Sequence, residues 1–226
     1  MAEREGLTRR ELLKYSTLTV AGMAVTGVAG YLLGEQRERG RLLLLGDLTR
    51  ELETKLGAEG YSSVYVPVGG TVETIRRAGL AISSSPWQDG EPDFEKVPSE
   101  HPWIAINPDR FPLPSEGDLG FRDMTSLVRG ESTNLQRRVG REIEVILGEV
   151  IDYVGLDHAY QVATGQELIR EGFIMTTTTF EGKGVGIGRP ASGEPLGYSV
   201  FDAPPPQDAI PPDGFLAAGL LVPRLP

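Results

Sequence analysis

Three short segments place small polar residues directly after predicted strands: Gly46-Asp47-Leu48-Thr49, Gly69-Gly70-Thr71 and Ser83-Ser84-Ser85. Two of them lead into predicted helices, where free backbone N–H groups and the helix dipole favour a bound anion. Hydroxyls add donors without adding charge, and glycine lets a backbone approach a ligand closely. The alternative is structural, with threonines that cap helices and glycines that turn the chain. The segments predict a binding cup made of Asp47, Thr49, Gly69, Gly70, Thr71, Ser83, Ser84 and Ser85.

An alternation of strands and helices is expected to position these segments. Apolar runs predict strands at 42–45, 64–68 and 80–82, with helices at 50–56 and 72–78 between them. This order is typical of an α/β fold with a parallel sheet and flanking helices. In such sheets ligands bind outside the carboxyl ends of the strands. The three segments are therefore expected to converge on one water-accessible cleft.

The rest of the chain suggests a second lobe. A strand is predicted at 103–106, and apolar residues at helical spacing predict a long amphipathic helix from Arg137 to Val154. A further helix at 158–170 and three strands follow, at 173–180, 185–188 and 196–201. The predicted domains are an export segment (1–40), an α/β lobe (41–109) and a second lobe with a proline-rich tail (110–226).

The order of motifs from Leu42 to Asp109 resembles the first lobe of extracytoplasmic solute-binding proteins of ABC transporters. It is most similar to the phosphate-, molybdate- and tungstate-binding groups. The three polar segments stand where that family has its ligand loops, and Ile106-Asn107-Pro108-Asp109 is similar to a family strand ending in Asn-Pro-Asp. The resemblance implies a periplasmic-binding-protein-like fold, a small anionic solute as ligand and an ABC permease as partner.

The predicted cup departs from the family pattern at Asp47. A carboxylate repels a fully ionised oxyanion unless one of the two carries a proton. Phosphate can supply such a proton, so Asp47 weakens molybdate and tungstate more than phosphate. A changed ligand, such as a cation or a polar organic solute, is the alternative.

The N-terminus resembles a twin-arginine export signal. Arg9-Arg10 is followed by Glu11, two leucines and Lys14, and then by the uncharged stretch 15–34. The stretch has 20 residues, about the length that crosses a bilayer core. We expect the twin-arginine translocase as a transient partner. The mature protein is expected in the periplasm or at the cell surface, with the segment either cleaved or retained as an anchor.

Composition excludes several function classes. The net charge is −10, and residues 1–40 hold six basic and five acidic residues, so the remainder is close to −11. Such a surface disfavours nucleic acid as a partner. The chain has no cysteine and only two histidines, so no metal centre and no cofactor are predicted.

Other parts of the sequence bear on two further function classes. Leu43-Leu44-Leu45-Gly46-Asp47-Leu48-Thr49 also resembles the opening block of Gly-Asp-Ser-Leu esterases, but the nucleophilic serine is missing. No enzymatic activity is therefore predicted. The other alternative is a non-catalytic, membrane-tethered module that binds a protein through its acidic surface or proline-rich tail.

Overall fold

The computed structural model describes residues 41–44, 50–61, 63–67, 69–83, 92–113, 121–202 and 215–224. The export segment, with Arg9 and Arg10, lies outside the described residues. None of the helices in the described ranges is long and apolar enough to cross a membrane. The helices of the described part are α1 (Arg50–Ala58), α2 (Val72–Arg77), α3 (Phe121–Arg138) and α4 (Val150–Thr164). Its strands are β1 (Arg41–Leu44), β2 (Ser63–Val66), β3 (Ile104–Ile106), β4 (Ile143–Ile146), β5 (Gly172–Phe180), β6 (Lys183–Arg189), β7 (Gly197–Asp202) and β8 (Leu220–Pro223).

Both sheets are antiparallel, so the predicted parallel-sheet, periplasmic-binding-type fold is wrong. The first sheet has the strand order β1-β2-β3-β8-β4, and every neighbouring pair in it is antiparallel. The second sheet has the order β5-β6-β7, again antiparallel. The alternation of strands and helices predicts a parallel sheet when each helix brings the chain back to the end of the sheet where the previous strand began. When the next strand instead starts at the end where the previous strand finished, the two strands are antiparallel. The alternation alone therefore does not determine strand direction.

Strand β8, from the C-terminal part of the chain, is inserted into the same sheet as strands β1 to β3. It lies between β3 and β4, where Leu221 pairs with Ala105 on one side and with Val145 on the other. The chain just before β8 reaches the second sheet, because Leu216 forms a parallel bridge with Ile174 of β5. The segment 215–223 therefore links both sheets.

Helix α4 is the centre of the core. All ten residues from Val150 to Ala159 are buried, and the helix packs against β1 of the first sheet and against β5 and β6 of the second. The other face of the first sheet packs against α3 and α1. Neighbouring residues of β2 serve opposite faces, since Tyr65 packs with α4 and Val64 with α3. A helix buried between two sheets has no solvent-facing stripe, and its buried polar side chains Asp152 and Asp157 are hydrogen-bonded within the protein.

The long helix predicted from Arg137 to Val154 is also wrong. Helix α3 ends at Arg138, β4 occupies 143–146, and α4 starts at Val150. Gly140 has a φ of +154°, a value that side-chain-bearing residues rarely adopt. Within β4 the residues alternate between buried and half-buried, which is the two-residue period of a strand.

Candidate functional site

A hollow of about 430 Å³ opens beside the C-terminal end of α4. Two segments form it: residues 108–112, which follow β3, and residues 160–171, which comprise the end of α4 and its connection to β5. Its volume lies within the range of small-molecule sites. The lining residues are Pro108, Asp109, Phe111, Pro112, Tyr160, Glu167, Leu168, Arg170 and Glu171.

The first wall is held by backbone and side-chain hydrogen bonds. Asn107 accepts a hydrogen bond from the Asp109 N–H at 3.1 Å, and its amide donates to the Glu59 carbonyl at 3.2 Å. The Leu113 N–H donates to the Ala217 carbonyl at 2.8 Å, which ties the far end of the wall to the segment before β8. The Phe111 ring lies 6.3 Å from that of Tyr153 in α4. The wall is therefore fixed at both ends and packed on the core.

The second wall is fixed by a buried ion pair. Arg189 of β6 and Asp157 of α4 are 2% and 0% exposed, with 2.8 Å between Arg189 Nη2 and Asp157 Oδ2. The other oxygen of Asp157 accepts hydrogen bonds from the N–H groups of Leu168 and Ile169, at 3.0 and 2.9 Å. Gly165 ends α4 in the left-handed conformation, with φ +70°. The turn after α4 is thereby fastened to the core.

Glu167 is occupied by protein partners. Its carboxylate accepts hydrogen bonds from the Gly193 N–H and the Ser192 hydroxyl, at 3.1 and 3.3 Å. It also lies 3.3 Å from Nε of Arg189. Its carboxylate therefore has partners within the protein, and it shares the charge of Arg189 with Asp157.

The remaining charges of the hollow are exposed. Within the described ranges, the side chains of Asp109, Arg170 and Glu171 form no ion pair or hydrogen bond with another residue. Burial raises the pKa of Tyr160, while Arg170 lowers that pKa and Asp109 raises it. Both charges therefore act on the Tyr160 hydroxyl. The hollow offers two carboxylates, one guanidinium, one phenol and apolar rings to a ligand.

A second polar cluster lies at the N-terminal end of α4. The Ser99 hydroxyl donates to Asp152 Oδ1 at 2.5 Å, and the Glu149 N–H donates to Asp152 Oδ2 at 2.8 Å. His101 Nε2 lies 3.6 Å from Asp152 Oδ2. Nucleophilic catalysis needs the hydroxyl at the imidazole, whereas here both groups face the same carboxylate. This cluster anchors the start of α4 and does not have the geometry of a serine nucleophile.

The described members of the predicted cup have structural roles within the protein. Thr71 caps α2 in a capping box with Thr74, and the Ser83 hydroxyl donates to the Leu196 carbonyl at 3.0 Å. Gly69, with φ +75°, and the buried Gly70 turn the chain before α2. Asp47, Thr49, Ser84 and Ser85 lie outside the described residues.

Strand direction removes the reason to expect the three segments to converge. In the β1–β2 pair, Leu44 at the end of β1 lies opposite Ser63 at the start of β2. The two strands therefore end at opposite ends of the sheet.

Sequence reasoning missed the residues of the hollow. The predicted helix at 158–170 would have continued through its second wall, whereas α4 ends at Thr164. Gly165 was the available signal, because glycine commonly follows the last residue of a helix. The pattern Asn107-Pro108-Asp109 predicts the end of a strand but gives no signal of a site. Within the described ranges no group of three acidic or histidine side chains could hold a metal ion.

No protein-family model, curated protein or solved structure matches this chain. The chemistry of the hollow is therefore the basis for inferring function.

Proposed function

We propose that the protein is an exported, extracytoplasmic binding protein for a small solute, and that the hollow holds this solute. One observation carries the proposal. Asp109, Arg170 and Glu171 line a hollow of about 430 Å³ without protein partners among the described residues, on walls that hydrogen bonds and a buried ion pair hold in place. Preformed walls reduce the ordering that a ligand must impose.

The export part of the proposal rests on the sequence. Arg9-Arg10 and the uncharged stretch 15–34 support passage through the twin-arginine route. Delivery of the solute to an ABC permease stays a prediction, because it came from the resemblance alone.

Ligand-dependent thermal stability tests the proposal. The full-length protein in detergent is heated with a panel of phosphate, sulfate, molybdate, amino acids, betaines, polyamines and sugars. A ligand at 100 times its Kd adds about 2.7 kcal/mol to the free energy of unfolding. For a chain of this size that corresponds to a rise in Tm of roughly 5–10 °C. We expect at least one compound to give such a rise.

A matched pair of variants locates the effect. Glu171 and Glu181 flank β5 at its two ends, and only Glu171 lines the hollow. Glu171→Gln is expected to reduce the ligand-induced rise in Tm, and Glu181→Gln is expected to leave it unchanged. A flat response of the wild-type protein across the whole panel would contradict the proposal and favour the protein-binding module.

A further inference from the structure

We propose that the hollow selects a small zwitterion, with an ammonium group at one end and a carboxylate at the other. This inference rests on the proposed function and names the class of its solute. It follows from the kinds of charge that line the hollow without a partner in the described part of the chain, and from the aromatic rings in the same lining.

The acidic and aromatic residues fit an ammonium group. Asp109 and Glu171 are exposed carboxylates without an ion-pair partner in the described part of the chain, and Phe111 and Tyr160 are half-buried rings in the same lining. An organic ammonium ion is attracted both by carboxylates and by the faces of aromatic rings. It also loses less hydration than a small metal ion when it enters a partly apolar hollow.

The guanidinium of Arg170 favours a zwitterion over a simple cation as the ligand. It lines the same hollow and would repel a ligand that carries positive charge alone. A ligand carboxylate gives this guanidinium the partner that the described part of the chain does not, and Arg–carboxylate contacts are strong and directional.

Both kinds of charge line the hollow together with one phenol. Asp109, Tyr160 and Arg170 all belong to its lining. Arg170 lowers the pKa of Tyr160 and Asp109 raises it, so both charges act on the same part of the hollow.

The same charges argue against an oxyanion. Two unpaired carboxylates face the hollow beside one guanidinium, and the third carboxylate, Glu167, already shares Arg189 with Asp157. A divalent anion would meet net negative charge there. A neutral sugar would leave all three unpaired charges without a counter-charge.

Isothermal titration calorimetry of the full-length protein in detergent tests the ligand class. The probes are the zwitterions glycine betaine and L-alanine, the cation choline and inorganic phosphate. Glycine betaine and choline share a trimethylammonium group and differ in the carboxylate. The wild-type protein is expected to bind at least one of the two zwitterions, and more tightly than choline or phosphate.

Two variants test the contacts to the two ends of the ligand separately. Arg170→Gln is expected to weaken binding of the zwitterion about 10- to 100-fold and to leave choline unchanged or bound more tightly. Glu171→Gln is expected to weaken both. Because both side chains are exposed and lack partners in the described part of the chain, the variants should keep the wild-type Tm without ligand.

The outcomes distinguish this inference from the proposed function. Failure of both zwitterions to bind, or choline bound more tightly than either, overturns the zwitterion inference. Binding of phosphate that Arg170→Gln abolishes also overturns it, but leaves the small-solute role standing. If, in addition, no compound of the thermal-stability panel binds, the proposed function fails as well.

Discussion

Asp152 illustrates at the scale of one residue how burial sets the chemistry of a carboxyl group. It is 1% exposed, and burial raises its pKa above the ordinary value of 3.8, although hydrogen bonds from Ser99 and from the Glu149 N–H and the charge of His101 act in the opposite direction. Burial and the charges of Asp152 and Glu100 raise the pKa of Glu149 as well. Two neighbouring carboxyl groups therefore bind their protons more tightly in the folded protein than in the unfolded chain.

A raised carboxyl pKa predicts that neutral pH weakens the fold at this position. The contribution of Asp152 is fully present below the pKa of the unfolded chain and is lost as the pH rises through the folded value. Asp152→Asn keeps one carbonyl oxygen as the acceptor for the Glu149 N–H, its amide faces the Ser99 hydroxyl, which can turn to accept, and the side chain has no charge. Its free energy of unfolding relative to wild type should therefore rise as the pH rises above about 4.

Urea titrations at several pH values measure this difference. Glu181→Gln is the charge-matched control, because it removes a carboxyl group from the exposed β5–β6 turn. A difference between Asp152→Asn and wild type that stays constant with pH would contradict the account.

The buried pair of Asp157 and Arg189 gives a second prediction at this scale. Asp157→Asn keeps an acceptor for the Leu168 and Ile169 N–H groups but removes the buried charge of Asp157, and leaves the buried guanidinium of Arg189 with only the more exposed Glu167 as an acidic partner. Breaking a buried ion pair in this way costs about 3–5 kcal/mol. Because the pair fastens the second wall of the hollow, solute affinity should fall as well.

The less buried pair of Arg110 and Glu131, whose side chains are 44% and 12% exposed, is the control for that measurement. Glu131→Gln is expected to change the free energy of unfolding by less than about 1 kcal/mol. Equal losses in the two variants, measured by urea denaturation, would show that burial does not matter to the Asp157 pair.

At the scale of elements, Gly155 determines how closely α4 approaches the first sheet. A Cβ atom at this position would lie 2.1 Å from the Tyr65 hydroxyl and 2.7 Å from the ring carbon that carries it. The Tyr65 side chain is itself buried in the core and cannot swing away. The missing side chain thus allows a strand and a helix to pack in direct contact.

Gly155→Ala should therefore destabilise the protein even though alanine is the better helix former. Overpacking typically costs about 1–3 kcal/mol, more than the gain of up to about 1 kcal/mol in helix propensity. Gly130→Ala is the matched control, because a Cβ there meets nothing within 4 Å and the residue lies inside α3. That variant should be slightly stabilised, and a gain of stability in both variants would contradict the close packing of α4.

Several elements could be predicted from sequence, and others could not. The strands at 64–68, 103–106, 173–180, 185–188 and 196–201 are confirmed to within a few residues. The helix predicted over 137–154 failed because Val139, Ile143, Ile146 and Val150 satisfy a helical period by coincidence. Val139 lies in the turn after α3, Ile143 and Ile146 lie in β4, and Val150 begins α4. Gly140 and Gly148 signalled the breaks between these parts.

At the scale of the whole molecule, the direction of the strands could not be predicted from the sequence pattern. The first sheet brings strands from positions 41–106 together with β4 and β8, and long-range pairing of this kind leaves no local signal. The prediction that the binding segments converge assumed parallel strands. The antiparallel pairing of the first sheet removes that assumption. The hollow depends on tertiary contacts that no sequence period records, above all those of Asp157 with Leu168 and Arg189.

The most direct test of the account is to locate the solute on the protein. Hydrogen exchange with mass-spectrometric detection compares the full-length protein alone and saturated with the strongest ligand of the thermal-stability panel. We predict slower exchange in peptides that cover 108–112 and 160–171, and no change in peptides that cover 69–83. Slower exchange confined to 69–83, or a bound ligand that leaves 108–112 and 160–171 unprotected, would contradict the proposed site.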